Sequence, residues 1–245
     1  VNNQPIEKVT VLPDGFLEVH SIFSTIQGEG PLCGRPAVFV RLAGCNLQCP
    51  WCDTDYTSTR EEMHPRTIIS RIRTLAPDVL KPLVVITGGE PFRQDLNNLL
   101  MLLWEEGFHV QVETNGTLSP PDCGLFTPYG YFTSSIDPNR GIMIVCSPKT
   151  GKVHAKILEQ ACALKYVVEA GDIREEDGLP LHALGHTANP YPARPPEHWY
   201  RPVYVQPMDA KDPEKNLFNH KAAVDSCMRF GYTLQIQIHK VVGLE

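Results

Sequence analysis

Short β-branched runs that alternate with single helical segments constrain this chain more than any other feature. Eight stretches read as strands: Phe16–Phe23, Ala37–Leu42, Leu83–Thr87, His109–Thr114, Ile142–Cys146, Lys165–Glu169, Val203–Gln206 and Thr233–His239. Between them the pattern predicts helices over Thr67–Leu75, Leu96–Glu106, Lys152–Ala163 and Glu214–Phe230. The second carries an apolar stripe of Leu96, Leu99, Leu100 and Leu103, with Asp95 placed to cap it and Gly107 to stop it. Strands joined through single helices imply parallel βαβ units, because a parallel pair needs a long crossover. About six such strands give an α/β fold, a partial TIM-like barrel with a reduced helix set; a complete eightfold barrel typically takes about 250 residues. Ser119–Gly141, rich in Pro, Gly and aromatics, reads as an ordered loop. Gly171–Pro202 holds six prolines and reads as an extended insertion. With no repeat and no linker, the expectation is one domain over 1–245 with a Pro-rich insertion at about 171–202.

The cysteines are distributed unevenly. Cys33, Cys45, Cys49 and Cys52 lie close together, while Cys123, Cys146, Cys162 and Cys227 are scattered singly. Eight in 245 residues are too few for a disulfide scaffold. Cys45, Cys49 and Cys52 form a C-x₃-C-x₂-C spacing, and three thiolates so near in sequence can converge on one soft metal centre. A structural zinc site, its fourth ligand from Cys33 or a histidine, is one reading; casual packing thiols are another. An iron–sulfur cluster normally takes four cysteines, so three imply one iron left open for chemistry.

Charge narrows the partners. Against 28 Asp+Glu there are 22 Lys+Arg, a net charge of −6, which argues against duplex nucleic acid or an anionic membrane surface as partner. The apolar runs are far shorter than the ~20 residues of a membrane-spanning helix, and Val1–Thr10 lacks a secretion-signal profile. A cytoplasmic protein is expected.

Polar groups recur where strands end, which is where parallel α/β architectures build sites. Thr87-Gly88-Gly89-Glu90-Pro91 follows one strand, Glu113-Thr114-Asn115-Gly116 the next, Ser147-Pro148-Lys149 another and Gln206-Pro207-Met208-Asp209 a fourth. The glycines allow close backbone approach to a ligand, and Glu90 can accept from an ammonium. His182 and His186 have the spacing of a helical zinc pair, but Gly185 and the nearby prolines disfavour a helix there. Glu61-Glu62 and Glu175-Glu176 read as solvated loop charges, and Cys33 with the scattered cysteines as packing thiols.

The cysteine triad followed by the GGEP strand end resembles radical S-adenosylmethionine enzymes. Thr25–Gly30 (TIQGEG), Gly34–Arg41 (GRPAVFVR), Gly44–Asn46, Cys52–Thr54, ETNG, CSPK, QPMD and Gln237–Lys240 (QIHK), in this order, resemble the 7-carboxy-7-deazaguanine synthase family over about residues 20–245. The resemblance implies conversion of 6-carboxy-5,6,7,8-tetrahydropterin to 7-carboxy-7-deazaguanine with loss of ammonia, a lyase step toward queuosine-type 7-deazaguanines. It implies that Cys45, Cys49 and Cys52 hold a [4Fe–4S] cluster whose open iron binds S-adenosylmethionine, and that a 5′-deoxyadenosyl radical starts the ring contraction. The cofactor would be framed by Trp51, Asp53, Gly89, Glu90, Glu113, Ser147, Pro148, Lys149, Gln206, Pro207, Met208 and Asp209. The pterin would meet Ile26, Gln27, Gly28, Arg41, Thr87 and, by position only, Glu245; Thr54 matches a Mg2+ position. Arg41 suits a carboxylate because its planar fork can bond both oxygens. An external electron donor such as a flavodoxin or ferredoxin and a homodimer are also implied. A different radical enzyme sharing only the cluster and GGEP turn, and a zinc-stapled binding protein, are the competing readings.

Overall fold

The computed structural model describes residues 1–76, 82–128, 141–186 and 191–244. In chain order its elements are β1 (Leu17–Ile26), β2 (Pro36–Leu42), β3 (Glu61–Met63), α1 (Pro65–Leu75), β4 (Leu83–Gly88), α2 (Asn97–Glu105), β5 (His109–Thr114), β6 (Ile142–Cys146), α3 (Ala155–Gln160), β7 (Ala161–Val168), β8 (Val203–Pro207), α4 (Pro213–Phe230), β9 (Thr233–Leu234) and α5 (Ile238–Val241). The strands form one sheet in the order β3-β1-β2-β4-β5-β6-β7-β8-β9. From β2 to β8 every neighbouring pair is parallel, which gives the six parallel strands of the expected α/β partial barrel. Short β9 extends that parallel run, and β1 pairs antiparallel with both β2 and β3.

Strand alternation sends side chains to two different environments. One face carries Val84, Ile86, Val110, Val112, Ile144 and Tyr166, packed with Ile68 and Ile72 of α1, Leu99, Leu100 and Leu103 of α2, and Ile157 of α3. Each such fully buried aliphatic side chain contributes about 1.5–3 kcal/mol, so this face supplies most of the cohesion. The other face holds a smaller cluster that includes Leu83, Val85, Met143, Val145 and Ala163. On β5, Gln111 and Glu113 alternate with Val110 and Val112, so the face opposite the helices is polar there.

Three local expectations need correction. The Lys152–Ala163 helix is only Ala155–Gln160, with the His154 ring accepting from the Lys156 amide at 3.3 Å; Ala161 already begins β7. Burial between β6 and β8 outweighs the helix preference of alanine at 161 and 163. The Thr233–His239 strand stops at Leu234, and α5 begins at Ile238. Gln235 turns inward instead, and its side chain accepts from the Gly30 amide, a tertiary bond that no local periodicity encodes. Finally, Phe16–Phe23 becomes the antiparallel strand β1, not a βαβ member.

The described residues of the insertion are held by turns and side-chain bonds. Ile173 and Pro180 form an antiparallel bridge, and Arg194 binds Asp177 at 2.9 Å and the Pro180 carbonyl at 2.9 Å.

Candidate active site

The loop after β2 carries the three clustered cysteines and has almost no regular structure of its own. Neighbouring segments hold it. On one side the N-terminal strand-like segment wraps it: Glu7 N donates to Cys45 O at 2.7 Å, Asn2 N to Pro50 O at 2.8 Å, and the Gln4 amide to Thr54 O at 2.9 Å. At its root Arg93, fully buried, donates to Ala43 O at 3.0 Å and Lys8 O at 2.9 Å and pairs with Glu18.

The GGEP turn lies directly on this loop. A Cβ built on Gly88 would come within 2.1 Å of Leu42 O, and one on Gly89 within 2.0 Å of Gly44 O. Both glycines are therefore required by the approach of two backbones, with Glu90 N donating to Gly44 O at 3.1 Å. Glu90 itself points away from the opening. Its carboxylate accepts from Thr114 Oγ1 at 2.7 Å, Asn115 N at 2.7 Å and Phe92 N at 3.1 Å. Burial raises its pKa to about 7 against the pull of those three donors.

The strand ends and this loop enclose a cleft of about 500 Å3. Cys45, Cys49 and Cys52 form one side of it. Burial pushes the Cys45 thiol up to about 12 and the Cys49 thiol up to about 11, and raises Cys52 as well; Cys49 and Cys52 add to the rise at Cys45. Thiols in this state give up their protons to a metal rather than to water. Among the described residues no three Cys, His, Asp or Glu side chains converge tightly enough for a single ion. Three thiols lining one open cleft leave a fourth position to something other than a cysteine, which suits an iron–sulfur cluster with one open iron better than a closed four-ligand zinc site.

The same cleft has a polar floor. Lys165 pairs with Glu29 and, at 3.4 Å, with Glu113. Gln27 donates to Glu113 at 2.9 Å, Gln237 to Glu29 at 2.6 Å and Gln206 to Glu29 at 3.2 Å. Burial opposes ionisation of Glu29, but Lys165 and Gln237 outweigh it and bring the carboxyl down to about 2. Burial likewise works against Lys165, yet Glu113 and Glu29 hold its pKa above the ordinary lysine range. Beside this floor Lys149, with its pKa lowered by burial, donates to Ser147 Oγ at 2.6 Å.

Comparison with known proteins decides what this site belongs to. Residues 40–139 match the radical SAM superfamily. The 7-carboxy-7-deazaguanine synthase of Rhodospirillum rubrum is 39% identical over 93% of this chain and 92% of its own length. This chain belongs to the 7-carboxy-7-deazaguanine synthase family. The family's protein from Rickettsia prowazekii is 36% identical over 94% of this chain and 89% of its own, and that from Escherichia coli 28% over 92% and 98%. Among solved structures, the crystal structure of QueE from Escherichia coli superposes with a TM-score of 0.64 at 25% identity, covering 91% of this chain and 94% of that one. Membership brings a [4Fe–4S] cluster and S-adenosylmethionine, and the three-thiol wall is the part of this chain suited to hold the cluster.

Of the residues expected at a 7-carboxy-7-deazaguanine synthase site, the cleft gathers Gln27, Arg41, the three cysteines, Trp51, Asp53, Thr54, Thr87, Gly89, Glu113, Ser147, Lys149 and Gln206–Asp209. Ile26, Gly28, Glu90 and Pro148 are not among its lining residues, and Glu90 is fully buried. Glu245 lies outside the described residues. Arg41 lies over the Phe23 ring at 4.9 Å. Several lining residues had been given no individual role: Lys165, and, inside the quoted TIQGEG and QIHK motifs, Glu29, Gln237, His239 and Lys240. A lone lysine inside the apolar run Ala161–Val168 was the available signal for Lys165, since a buried charge demands partners. Lys240 binds Asp53 at 2.8 Å and Asp209 at 3.4 Å, joining α5 to the cysteine loop and to the segment after β8.

Proposed function

We propose that this chain, acting as one domain over 1–245, converts 6-carboxy-5,6,7,8-tetrahydropterin to 7-carboxy-7-deazaguanine with loss of ammonia. The observation that carries this reading is that one cleft is lined by both the three thiols and the Glu29–Lys165–Glu113 group. When bound, the cluster and S-adenosylmethionine supply the one-electron chemistry. Cys45, Cys49 and Cys52 hold the cluster. Trp51, Gly89, Ser147–Lys149 and Gln206–Asp209 frame the cofactor, while Glu90, outside the lining, ties the GGEP turn to Thr114 and Asn115. Gln27, Arg41 and Thr87 face the pterin, whose carboxylate suits the Arg41 fork. Thr54 helps to hold Mg2+, with substrate oxygens and water as the other ligands.

Glu113 sits between two assignments. Expected as a cofactor contact, it is bonded to Gln27 and Lys165, which favours a role on the substrate side. Electrons come from an external flavodoxin- or ferredoxin-like donor, and the protein works as a cytoplasmic homodimer. Among the described residues no helix is long and apolar enough to cross a membrane, in keeping with this setting.

The test is anaerobic turnover of cluster-reconstituted protein with reductant, S-adenosylmethionine, Mg2+ and the carboxytetrahydropterin, read by mass spectrometry. Both 5′-deoxyadenosine and 7-carboxy-7-deazaguanine are expected. Nucleoside without the deazaguanine would remove the substrate assignment and leave the radical chemistry standing.

A further inference from the structure

Among its described residues the insertion reaches the cysteine loop at Leu184–Gly185. Its root is stiffened by Asp172, whose carboxylate accepts from His182 N at 3.1 Å and lies 2.6 Å from His182 Nδ1, while Leu181 N donates to Asp172 O at 2.9 Å. Its outer turn is fastened to α4 and the residues after it: Ser226 Oγ donates to Gly178 O at 2.6 Å and Tyr232 Oη to Asp177 O at 2.8 Å. Held at both points, the segment presents Leu184 and Gly185 to Pro50 and Trp51. Trp51 N donates to Leu184 O at 3.1 Å. Gly185, at φ +80°, lies so close to the indole that an added Cβ would stand 2.5 Å from both Cδ1 and Nε1. Leu184 adopts φ +50°, unusual for a residue with a side chain, and it lines the cleft together with Cys49 and Cys52.

We propose that Leu184–Gly185 is a clamp that positions the Cys49–Cys52 stretch and so protects the cluster it holds from loss. The inference rests on those cysteines being the cluster ligands, and it gives the Pro-rich insertion a task. Two of the three thiols flank Trp51; Cys52 N donates to Cys49 O at 3.1 Å within the turn, and the bond from Trp51 N to Leu184 O ties that turn to the insertion. A ligand loop without regular structure keeps its geometry only if outside contacts hold it. The N-terminal segment holds the Pro50 carbonyl and the Thr54 carbonyl, and the insertion holds the stretch between. Gly185 is a positioning residue that acts through Trp51.

The experiment uses Gly185→Val, which forces the indole away, and His182→Ala, which removes the His182–Asp172 contact at the root of the segment. Each is made in the full chain with Trp104→Phe and Trp199→Phe, so that Trp51 is the one fluorophore. In the metal-free protein, acrylamide quenching of Trp51 reads the clamp directly. In the reconstituted protein, bleaching of the cluster's visible absorption in air and the EPR signal of the reduced cluster read its consequence. Gly185→Val is expected to change Trp51 quenching, shift the EPR signal and speed bleaching by about ten-fold, the scale of outer-shell effects on metal sites. His182→Ala is expected to change all three in the same direction by less, and it carries the test if Gly185→Val does not fold.

Quenching, EPR and bleaching that match the parent in folded variants would overturn the clamp. A parent that takes up no cluster would instead overturn the ligand assignment, and Trp51 quenching would still decide whether the segment grips the loop.

Discussion

The imidazole of His239 occupies the space that a side chain at residue 28 would need: a Cβ on Gly28 would lie 1.8 Å from its Nδ1. Gly28 is thus the seat for the C-terminal segment, and Ile238 N donates to its carbonyl at 3.4 Å. Gly28→Ala should push His239 and α5 off the cleft. The expected result is at least about a ten-fold loss in kcat/KM, near 1.4 kcal/mol of transition-state binding, carried mainly by KM for the pterin. Steady-state kinetics at saturating S-adenosylmethionine separates this from a cluster defect, which would lower kcat instead.

Lys165→Met leaves Glu29 and Glu113 buried without their cation. Losing one member of a buried ionic group costs about 3–5 kcal/mol, readable as a lower denaturation midpoint in urea. The same pairing has a pH signature. Because the folded pKa of Glu29 is depressed to about 2 from 4.5, its contribution is fully present above about pH 4.5 and is lost as pH falls toward 2. In Lys165→Met that acid-limb loss should shrink in a stability-versus-pH series.

Glu90→Gln tests the link between strand ends. The carboxylate accepts from three donors, and an amide must turn its own N–H groups toward at least one of them. A buried donor left unsatisfied costs about 1–3 kcal/mol, so the melting temperature should fall near neutral pH. Above about pH 7 the difference should narrow, because the folded-state pKa of about 7 means that ionised Glu90 is itself held against burial. Thermal melts at pH 6 and pH 8.5 give the comparison.

Lys240→Met removes the tie from α5 to Asp53 and Asp209. Lys240 is one-third exposed, and an ion pair of that kind is worth about 0–1 kcal/mol, so stability should barely move. Substrate retention should change more, with a raised KM and an unchanged cluster absorption spectrum. An unchanged KM would show that the tie does not govern the closure of the cleft.

Much of the architecture was legible without coordinates. Hydrophobic periodicity located all six parallel strands and the four longer helices, because a strand that packs helices on one face must alternate or run apolar whatever its neighbours are. The boundary errors sit where local preference and tertiary burial disagree, at Ala161–Ala163 and at Gln235–Gln237. The cysteine triad and the strand-end motifs were legible for a chemical reason: short spacing lets one loop carry several ligands, and few residue types can do that work.

The polar floor was not legible in the same way. Glu29, Lys165, Glu113 and Gln237 come from four separate segments, and their partnership exists only after β1, β5, β7 and the chain end are brought to one cleft. The placement of Glu90 outside the lining likewise depends on Thr114 and Asn115, one strand over. The sequence by itself determined the layered α/β scaffold, the thiol triad and the family, all properties of local spacing and composition. Tertiary structure alone decided which polar side chains share the cleft, which stay outside its lining, and that the insertion grips the cysteine loop, because burial and pairing are relations between residues far apart in the chain.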